Sequence, residues 1–163
     1  MGAGRPFDGP NSEWVRRYGP IRHTVLRREF ARRFLQNPSI DFHDMLTVEL
    51  FPWHSPTLKA AIQVQPRTLR EFILEPLSEF GSVVPVIALA RGWAAALDRT
   101  PDLLESVQQF KGFAVPSRNA RLYSIRGGGR ILVVWHSGSD APPNAHDTER
   151  LRTVWFGTQN RES

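Results

Sequence analysis

The sequence predicts an α/β fold, in the form of a three-layer α/β/α sandwich around a mostly parallel central sheet. The continuous apolar run at 83–89 is typical of a strand buried on both faces of a sheet. Segments with helical caps or helical periodicity alternate with short apolar runs, which is the pattern of an α/β domain. The 163 residues suit one domain. We expect it at 11–156, between a flexible amino-terminal segment at 1–10 and a flexible tail at 157–163.

The first part of the chain predicts two helices and a strand. A short helix is expected at 12–18, where Ser12 stands in the capping position. Pro20 begins a longer helix that Asn37-Pro38 ends. Its buried face is marked by apolar residues at intervals of four: Leu26, Phe30 and Phe34. The run at 46–51 predicts the first strand.

The middle of the chain predicts a strand between helices. Thr68 and Glu71 have the spacing of a capping box, which predicts a helix that Pro76 kinks or ends. The buried strand at 83–89 follows, and then a short helix at 91–97. Thr100-Pro101 predicts the start of a further helix, which should end before Gly112.

The last part predicts a hairpin and a final helix. Strands at 121–125 and 130–135 flank three consecutive glycines, which favours a tight return between them. A helix is expected at 147–156. Its inward side chains are Leu151, Val154 and Trp155.

Composition narrows the classes of function. The chain has no cysteine, which excludes disulfides, thiolate nucleophiles and cysteine-ligated zinc. A net charge of +5, carried mostly by arginine, favours a polyanionic partner such as DNA. No HExxH or GKS-type motif is present, so we expect no metal and no obligate cofactor. The sequence has no membrane-spanning run and no signal-peptide pattern, so we expect a cytoplasmic location and no membrane partner. The oligomeric state stays open.

Two apolar runs end in the same tripeptide. Residues 45–51 lead through Pro52 into Trp53-His54-Ser55, and residues 131–134 lead into Trp135-His136-Ser137. Loops that leave the carboxyl ends of neighbouring parallel strands form the ligand crevice of α/β folds. The sequence therefore predicts one shared polar site at which both histidines lie.

The order of these motifs, with Val-Ile-Ala-Leu-Ala at 86–90 between them, resembles the uracil-DNA glycosylase-like superfamily over residues 41–155. The most specific piece is His136-Ser137-Gly138-Ser139, which is similar to the His-Pro-Ser-Pro-type loop that follows the family's last strand. The resemblance implies that fold and base excision, the hydrolysis of the N-glycosidic bond of uracil or another altered base in DNA.

The resemblance also implies roles for individual residues. His136 would donate to the departing base as negative charge develops on it. Ser137, Gly138 and Ser139 would hold a DNA phosphate. A second group would form the pocket for the flipped base: Glu49, Phe51, Trp53, His54 and Ser55. Asp8 is the candidate for positioning the attacking water.

The chain departs from the family at its amino-terminal end, where no strand precedes the first helices and only Asp8 stands for the first catalytic motif. Two alternatives therefore stay open. One is a catalytically degenerate domain of the same fold that binds nucleic acid or protein. The other is a hydrolase that combines His54 and His136 with Asp140 or Asp147, although metal-ligand spacings and a Gly-x-Ser-x-Gly motif are absent.

Overall fold

The structure is a computed structural model, and it describes residues 22–45, 65–80, 84–136 and 142–157. The helix expected at 12–18 and the strand expected at 46–51 lie outside these ranges. Contacts divide the chain into two compact units. The first is Met1–Thr47 with Ala141–Ser163, and the second is Val48–Asp140. The expected single domain at 11–156 and its flexible flanks stay predictions.

The first unit contains helix α1 (Arg22–Leu35) and helix α5 (Ala145–Gly157), which pack against each other. Both helices confirm the expectation from sequence. Their shared core consists of aromatic and aliphatic side chains that are almost fully buried: Phe30, Phe34, Leu151 and Trp155. Leu26 differs from its predicted burial, since 38% of it is exposed.

Helix α1 ends in a Schellman motif. Gln36 adopts a positive φ of 50°, the Asn37 amide donates to the carbonyl of Arg32, and the Gln36 amide donates to that of Arg33. The guanidinium of Arg152 on α5 donates to the carbonyl of Phe34 at 2.5 Å. Carbonyls that lack a partner within the helix are thereby satisfied, and α5 is tied to the end of α1.

The second unit begins with one continuous helical stretch. Helix α2 (Pro66–Leu69) continues through a π-helical segment (Arg70–Leu74) into helix α3 (Glu75–Phe80). The predicted helix is confirmed, but the predicted capping box is wrong. Gln65 is the N-cap and Pro66 occupies the first turn, so Thr68 lies inside the helix.

Pro76 does not end this helix. The amide of Glu75 donates to the carbonyl of Arg70, five residues earlier, which is the π-helical pattern. Proline has no amide to donate, and its ring collides with the carbonyl four residues before it in a regular α-helix. The wider turn before Pro76 provides room for the ring, and the helix continues to Phe80.

The described sheet has four strands: β1 (Ile87–Leu89), β2 (Leu104–Phe110), β3 (Asn119–Ile125) and β4 (Arg130–Trp135), in the spatial order β1-β4-β3-β2. Strands β1 and β4 are parallel, whereas β4 with β3 and β3 with β2 are antiparallel. The mixed α/β class is confirmed. A mostly parallel three-layer sandwich is not confirmed, because two of the three pairings between described strands are antiparallel.

The predicted helix after Thr100-Pro101 is wrong. A short 3-10 turn (Pro101–Leu103) leads into strand β2, which pairs along its length with β3 and has a bulge near its start. The Arg126 amide and guanidinium donate to the carbonyls of Leu103 and Asp102. Pairing with β3 satisfies the backbone of this segment, and this tertiary context overrides the local helix-start signal.

The hairpin between β3 and β4 is confirmed. Gly127, Gly128 and Gly129 have φ values of 91°, 120° and 87°, which side chains other than glycine rarely adopt. The amide of Ile125 donates to the carbonyl of Gly129, and the amide of Gly128 donates to that of Ile125. The glycine triplet is thus required by the backbone of the turn.

Helix α4 (Arg91–Leu97) follows β1 directly, as the sequence predicts, and packs on the sheet. Ala94, Ala96 and Leu97 are buried together with Tyr123 and Val133 in the core of this unit. Four consecutive residues of β4 are buried, so its centre is covered on both faces. Among the described residues, no helix is both long and apolar enough to cross a bilayer.

Candidate nucleic-acid interface

The strand directions bring one end of each described strand to the same edge of the sheet. Leu89 pairs in parallel with Val134, so β1 and β4 end together. Strand β3 is antiparallel to β4, and β2 is antiparallel to β3, so β2 ends where β3 begins. We define this carboxyl edge as residues 90–93, 110–119 and 135–136. It is the position at which α/β sheets bind ligands.

The carboxyl edge is cationic. Its three segments contain Arg91, Lys111, Arg118 and His136 and no aspartate or glutamate. Arg91 and Lys111 are exposed, whereas Arg118 is only 5% exposed. Positive side chains gathered at one edge create a potential that attracts phosphates.

His136 directly follows β4 and is half-buried. The preceding residue, Trp135, is paired with Asn119 at the start of β3. The edge therefore holds His136 on a strand with fixed register rather than on a free loop. This placement at the end of a buried strand agrees with the prediction from sequence.

A polar network lies behind Trp135 on the face of the sheet that helix α4 covers. The hydroxyl of Tyr123 donates to Asp98 at 2.9 Å, and the guanidinium of Arg121 donates to the same carboxylate at 2.5 Å. The Arg121 guanidinium carbon also lies 5.6 Å from the centroid of the Trp135 ring, within cation–π distance. The network connects the end of α4 to the residue next to His136.

Tyr123 and Arg121 in this network keep their protonation states near neutral pH. Burial raises the pKa of Tyr123 to about 12, so its hydroxyl stays protonated and donates. The hydrogen bonds to Tyr123 and to Asp98 raise the pKa of Arg121, which stays charged. The ion pair and the hydroxyl therefore have a structural role beside Trp135 and do not act as an acid–base pair.

His136 is the one residue of the predicted base-excision site that falls within the described ranges. The rest lie outside them: Asp8, Glu49, Phe51, Trp53, His54, Ser55, Ser137, Gly138 and Ser139. The predicted meeting of the His54 and His136 loops stays a prediction for the same reason.

Of the two acids in the hydrolase alternative, Asp140 also lies outside the described ranges. Asp147 is in the first unit, fully buried in the first turn of α5, and its amide donates to the side chain of Asn144 at 2.8 Å. That hydrogen bond caps the helix and gives this segment a structural role.

Sequence reasoning missed Asp98, Arg121 and Tyr123. Arg121 and Tyr123 are two residues apart on a strand, and this alternation is the signal that places both on one face. Their contact with Asp98 depends on how α4 lies against β3, and the sequence carries no local sign of it.

A shallow concavity on the helical stretch is a weaker candidate for binding phosphates than the carboxyl edge. It is lined by two arginines, two glutamates and a proline: Pro66, Arg67, Arg70, Glu71 and Glu75. Arg67 pairs with Glu71 at 2.6 Å and Arg70 with Asp102 at 2.7 Å, so its cations are engaged with carboxylates. Within the described ranges, no group of three His, Asp or Glu side chains is arranged to hold a metal ion.

Comparison of the chain with protein-family models, with curated proteins and with solved structures finds no match.

Proposed function

We propose that this protein binds nucleic acid through the carboxyl edge of its sheet and excises an altered base from DNA there. The observation that carries the proposal is the cationic edge itself, which holds Arg91, Lys111 and Arg118 and no carboxylate in its described segments and at which β4 ends in His136. The three-layer sandwich of the uracil-DNA glycosylase-like superfamily is part of the same proposal and rests on the resemblance of the sequence motifs.

Binding at this edge is expected to be electrostatic. Each phosphate that an arginine or lysine neutralises releases condensed counterions, and the logarithm of affinity falls with the logarithm of salt by about 0.9 per contact on duplex DNA. The planar guanidinium of Arg91 is exposed and suits a bidentate phosphate contact.

The binding test compares two exposed arginines at opposite ends of α4. Arg91→Gln removes a charge from the carboxyl edge, and Arg99→Gln removes the same charge just beyond the other end of the helix. Titration of a labelled oligonucleotide at several salt concentrations should show a slope smaller by about 1 for Arg91→Gln. Arg99→Gln should retain the slope of the unaltered protein. Equal slopes for both variants would contradict binding at the carboxyl edge.

Base excision requires a donor for the negative charge that develops on the departing base. A half-buried imidazole suits this role at this position, because His136 directly follows a strand of fixed register at the edge proposed to bind the polymer. Such a donor acts in the transition state more than in the bound ground state, so its removal should lower the rate of the chemical step more than affinity.

The catalytic test is the release of uracil, and then of other altered bases, from a labelled oligonucleotide under single-turnover conditions. His136→Ala should lower the rate by about 100- to 1,000-fold while DNA affinity changes little. The control is His146→Ala, since His146 is an exposed histidine of the first unit. An unchanged rate in His136→Ala would rule out His136 as the catalytic donor.

A second candidate function is a noncatalytic nucleic-acid-binding domain of the same fold. It is favoured by the charge pattern, because the described segments of the carboxyl edge carry no carboxylate that could position an attacking water. Salt-dependent binding without release of any base tested would support this candidate over base excision.

A further inference from the structure

Two half-buried tryptophans belong to the carboxyl edge, and we call Trp93 and Trp135 the aromatic pair. Trp135 is the last residue of β4, and Trp93 is in the first turn of α4, where its amide donates to the carbonyl of Ala90. Both side chains pack against the same buried cluster, which includes Tyr123 and Val133. Each indole is therefore anchored in the core on the face that α4 covers, and it keeps part of its surface accessible.

Trp135 is also held by a cation. The guanidinium carbon of Arg121 lies 5.6 Å from the centroid of the Trp135 ring, and Asp98 accepts a hydrogen bond from that guanidinium. A side chain that is already ordered loses little conformational freedom when a ligand binds to it. The aromatic pair is therefore preorganised for stacking against a flat ligand.

The edge has few groups for reading paired bases. Proteins read bases in the grooves of a duplex mostly through arginine, amide and carboxylate side chains. In the described segments of the edge Arg118 is buried and no carboxylate is present. Asn119 is their one amide side chain, and it donates to the carbonyl of Ser117 at 2.9 Å. The flat faces of bases, which an indole contacts, are accessible only when the bases leave the duplex stack.

We propose that the carboxyl edge takes single-stranded DNA, with unpaired bases stacked on the aromatic pair and neighbouring phosphates bound by Arg91 and Lys111. This inference rests on the proposed binding of nucleic acid at the same edge. Sites for single strands combine positive charge, which follows the backbone, with aromatic side chains on which bases stack. The edge has both components, since Arg91 and Lys111 are exposed beside the two tryptophans in its segments.

The first experiment compares labelled single strands with and without bases. The probes are a thymidine oligomer and an oligomer of the same length in which every nucleotide is abasic, so that the phosphates match. The unaltered protein should bind the thymidine oligomer more tightly than the abasic one, because stacking adds to the phosphate contacts. It should also bind the thymidine oligomer more tightly than a duplex of the same length. Equal affinity for the two single strands, or tighter binding of the duplex, would overturn the proposal.

The second experiment removes the indoles. Trp93→Leu and Trp135→Leu should each weaken binding of the thymidine oligomer by about 5- to 100-fold. Each variant should bind the abasic oligomer as the unaltered protein does, which a misfolded protein would not do. Trp93→Phe and Trp135→Phe should recover most of the lost affinity, because an aromatic ring remains. Equal losses for both oligomers in the leucine variants would assign the indoles a structural role and overturn the proposal.

The control is Phe72→Leu, which removes an aromatic ring that is 70% exposed in the π-helical segment. This segment lies at the opposite edge of the sheet, because Arg70 donates to Asp102, which shortly precedes the start of β2. Phe72→Leu should leave the affinity for both oligomers unchanged. A loss as large as that of the tryptophan variants would contradict stacking at the carboxyl edge.

Arg91→Gln separates this inference from the proposed function. The variant lacks one phosphate contact, so it should bind both oligomers more weakly by the same factor. If it does so while the tryptophan variants bind the thymidine oligomer normally, nucleic-acid binding at the edge stands and the stacking inference fails. If the unaltered protein binds no oligomer at low salt, both proposals fail.

Discussion

Tyr123 shows how one buried hydroxyl organises the region behind the carboxyl edge. The side chain is fully buried, and its hydroxyl donates to Asp98 and accepts from Arg121 at 3.3 Å. A buried hydroxyl without such partners is costly. The network therefore stabilises the second unit and fixes Arg121 beside Trp135.

We expect Tyr123→Phe to lower the free energy of unfolding by about 1 kcal/mol near neutral pH, the typical value for one intramolecular hydrogen bond. Urea unfolding followed by tryptophan fluorescence measures this loss. A variant as stable as the unaltered protein would show that the hydroxyl contributes no net stability.

The same residue predicts a dependence on alkaline pH. Its pKa is raised from 10.0 to about 12 in the folded state, so the unfolded chain releases the phenolic proton first. The stability that Tyr123 contributes is fully present below about pH 10 and is lost as the pH rises through 12. The free energy of unfolding of the unaltered protein should fall more steeply over this window than that of Tyr123→Phe.

At the scale of residues, the sequence predicted the position of His136 at the end of a strand, because that signal is local: an apolar run followed by a polar loop. Its role in a site stays a prediction. The Asp98 network carried no such signal. Along the chain, strand β2 separates Asp98 from Arg121 and Tyr123. Their contact is therefore determined by the packing of α4 against β3. A register difference of one residue would place both β3 side chains on the other face.

At the scale of elements, the glycine turn provides a matched comparison. A Cβ added at Gly129 would lie 3.2 Å from the carbonyl oxygen of Leu77, whereas a Cβ at Gly127 would meet nothing within 4 Å. Both positions have positive φ, of 87° and 91°. Alanine at either position therefore lowers the free energy of unfolding by about 1 to 2 kcal/mol, because a side chain disfavours a positive φ.

We expect Gly129→Ala to destabilise the protein more than Gly127→Ala, because only Gly129 also crowds a backbone carbonyl that cannot rotate away. The added cost of crowding in a packed region is about 1 to 3 kcal/mol. Chemical denaturation of the two variants gives the difference directly. Equal losses would mean that the turn moves away from Leu77 without cost.

Element types with strong local signals were predicted well. Helix α4 and the β3–β4 hairpin depend on short-range patterns, and both are confirmed. Strand β2 was predicted as a helix because Thr100-Pro101 is a helix-start signal, and the pairing that overrides it comes from β3. The start of the helical stretch at Pro66 was misplaced because Thr68 and Glu71 match a capping box by spacing alone.

At the scale of the whole molecule, the sequence predicted the α/β class but not the proportion of parallel strands. Parallel neighbours need a long crossover, whereas short loops join antiparallel strands. The turn at Gly127–Gly129 and the short connection from β2 to β3 both lead to antiparallel pairing. Strand β1, which is followed by helix α4, supplies the parallel pair.

The register of the sheet also leads to an expectation for the order in which the second unit folds. Ser124 pairs with Arg130 across the glycine turn, whereas Ile87 pairs with Leu132 across α4, β2 and β3. Closing a longer loop costs more conformational entropy, so local pairs form at lower cost than distant ones. We expect β2, β3 and β4 to assemble in the folding transition state before β1 joins them.

Folding and unfolding rates of two leucine variants measure this order. Leu122→Ala in β3 should mainly slow folding, whereas Leu89→Ala in β1 should mainly speed unfolding. The reverse pattern would contradict the expected order. Because β1 and β4 end together at the carboxyl edge, the expected order completes the surface proposed to bind nucleic acid only when β1 reaches β4.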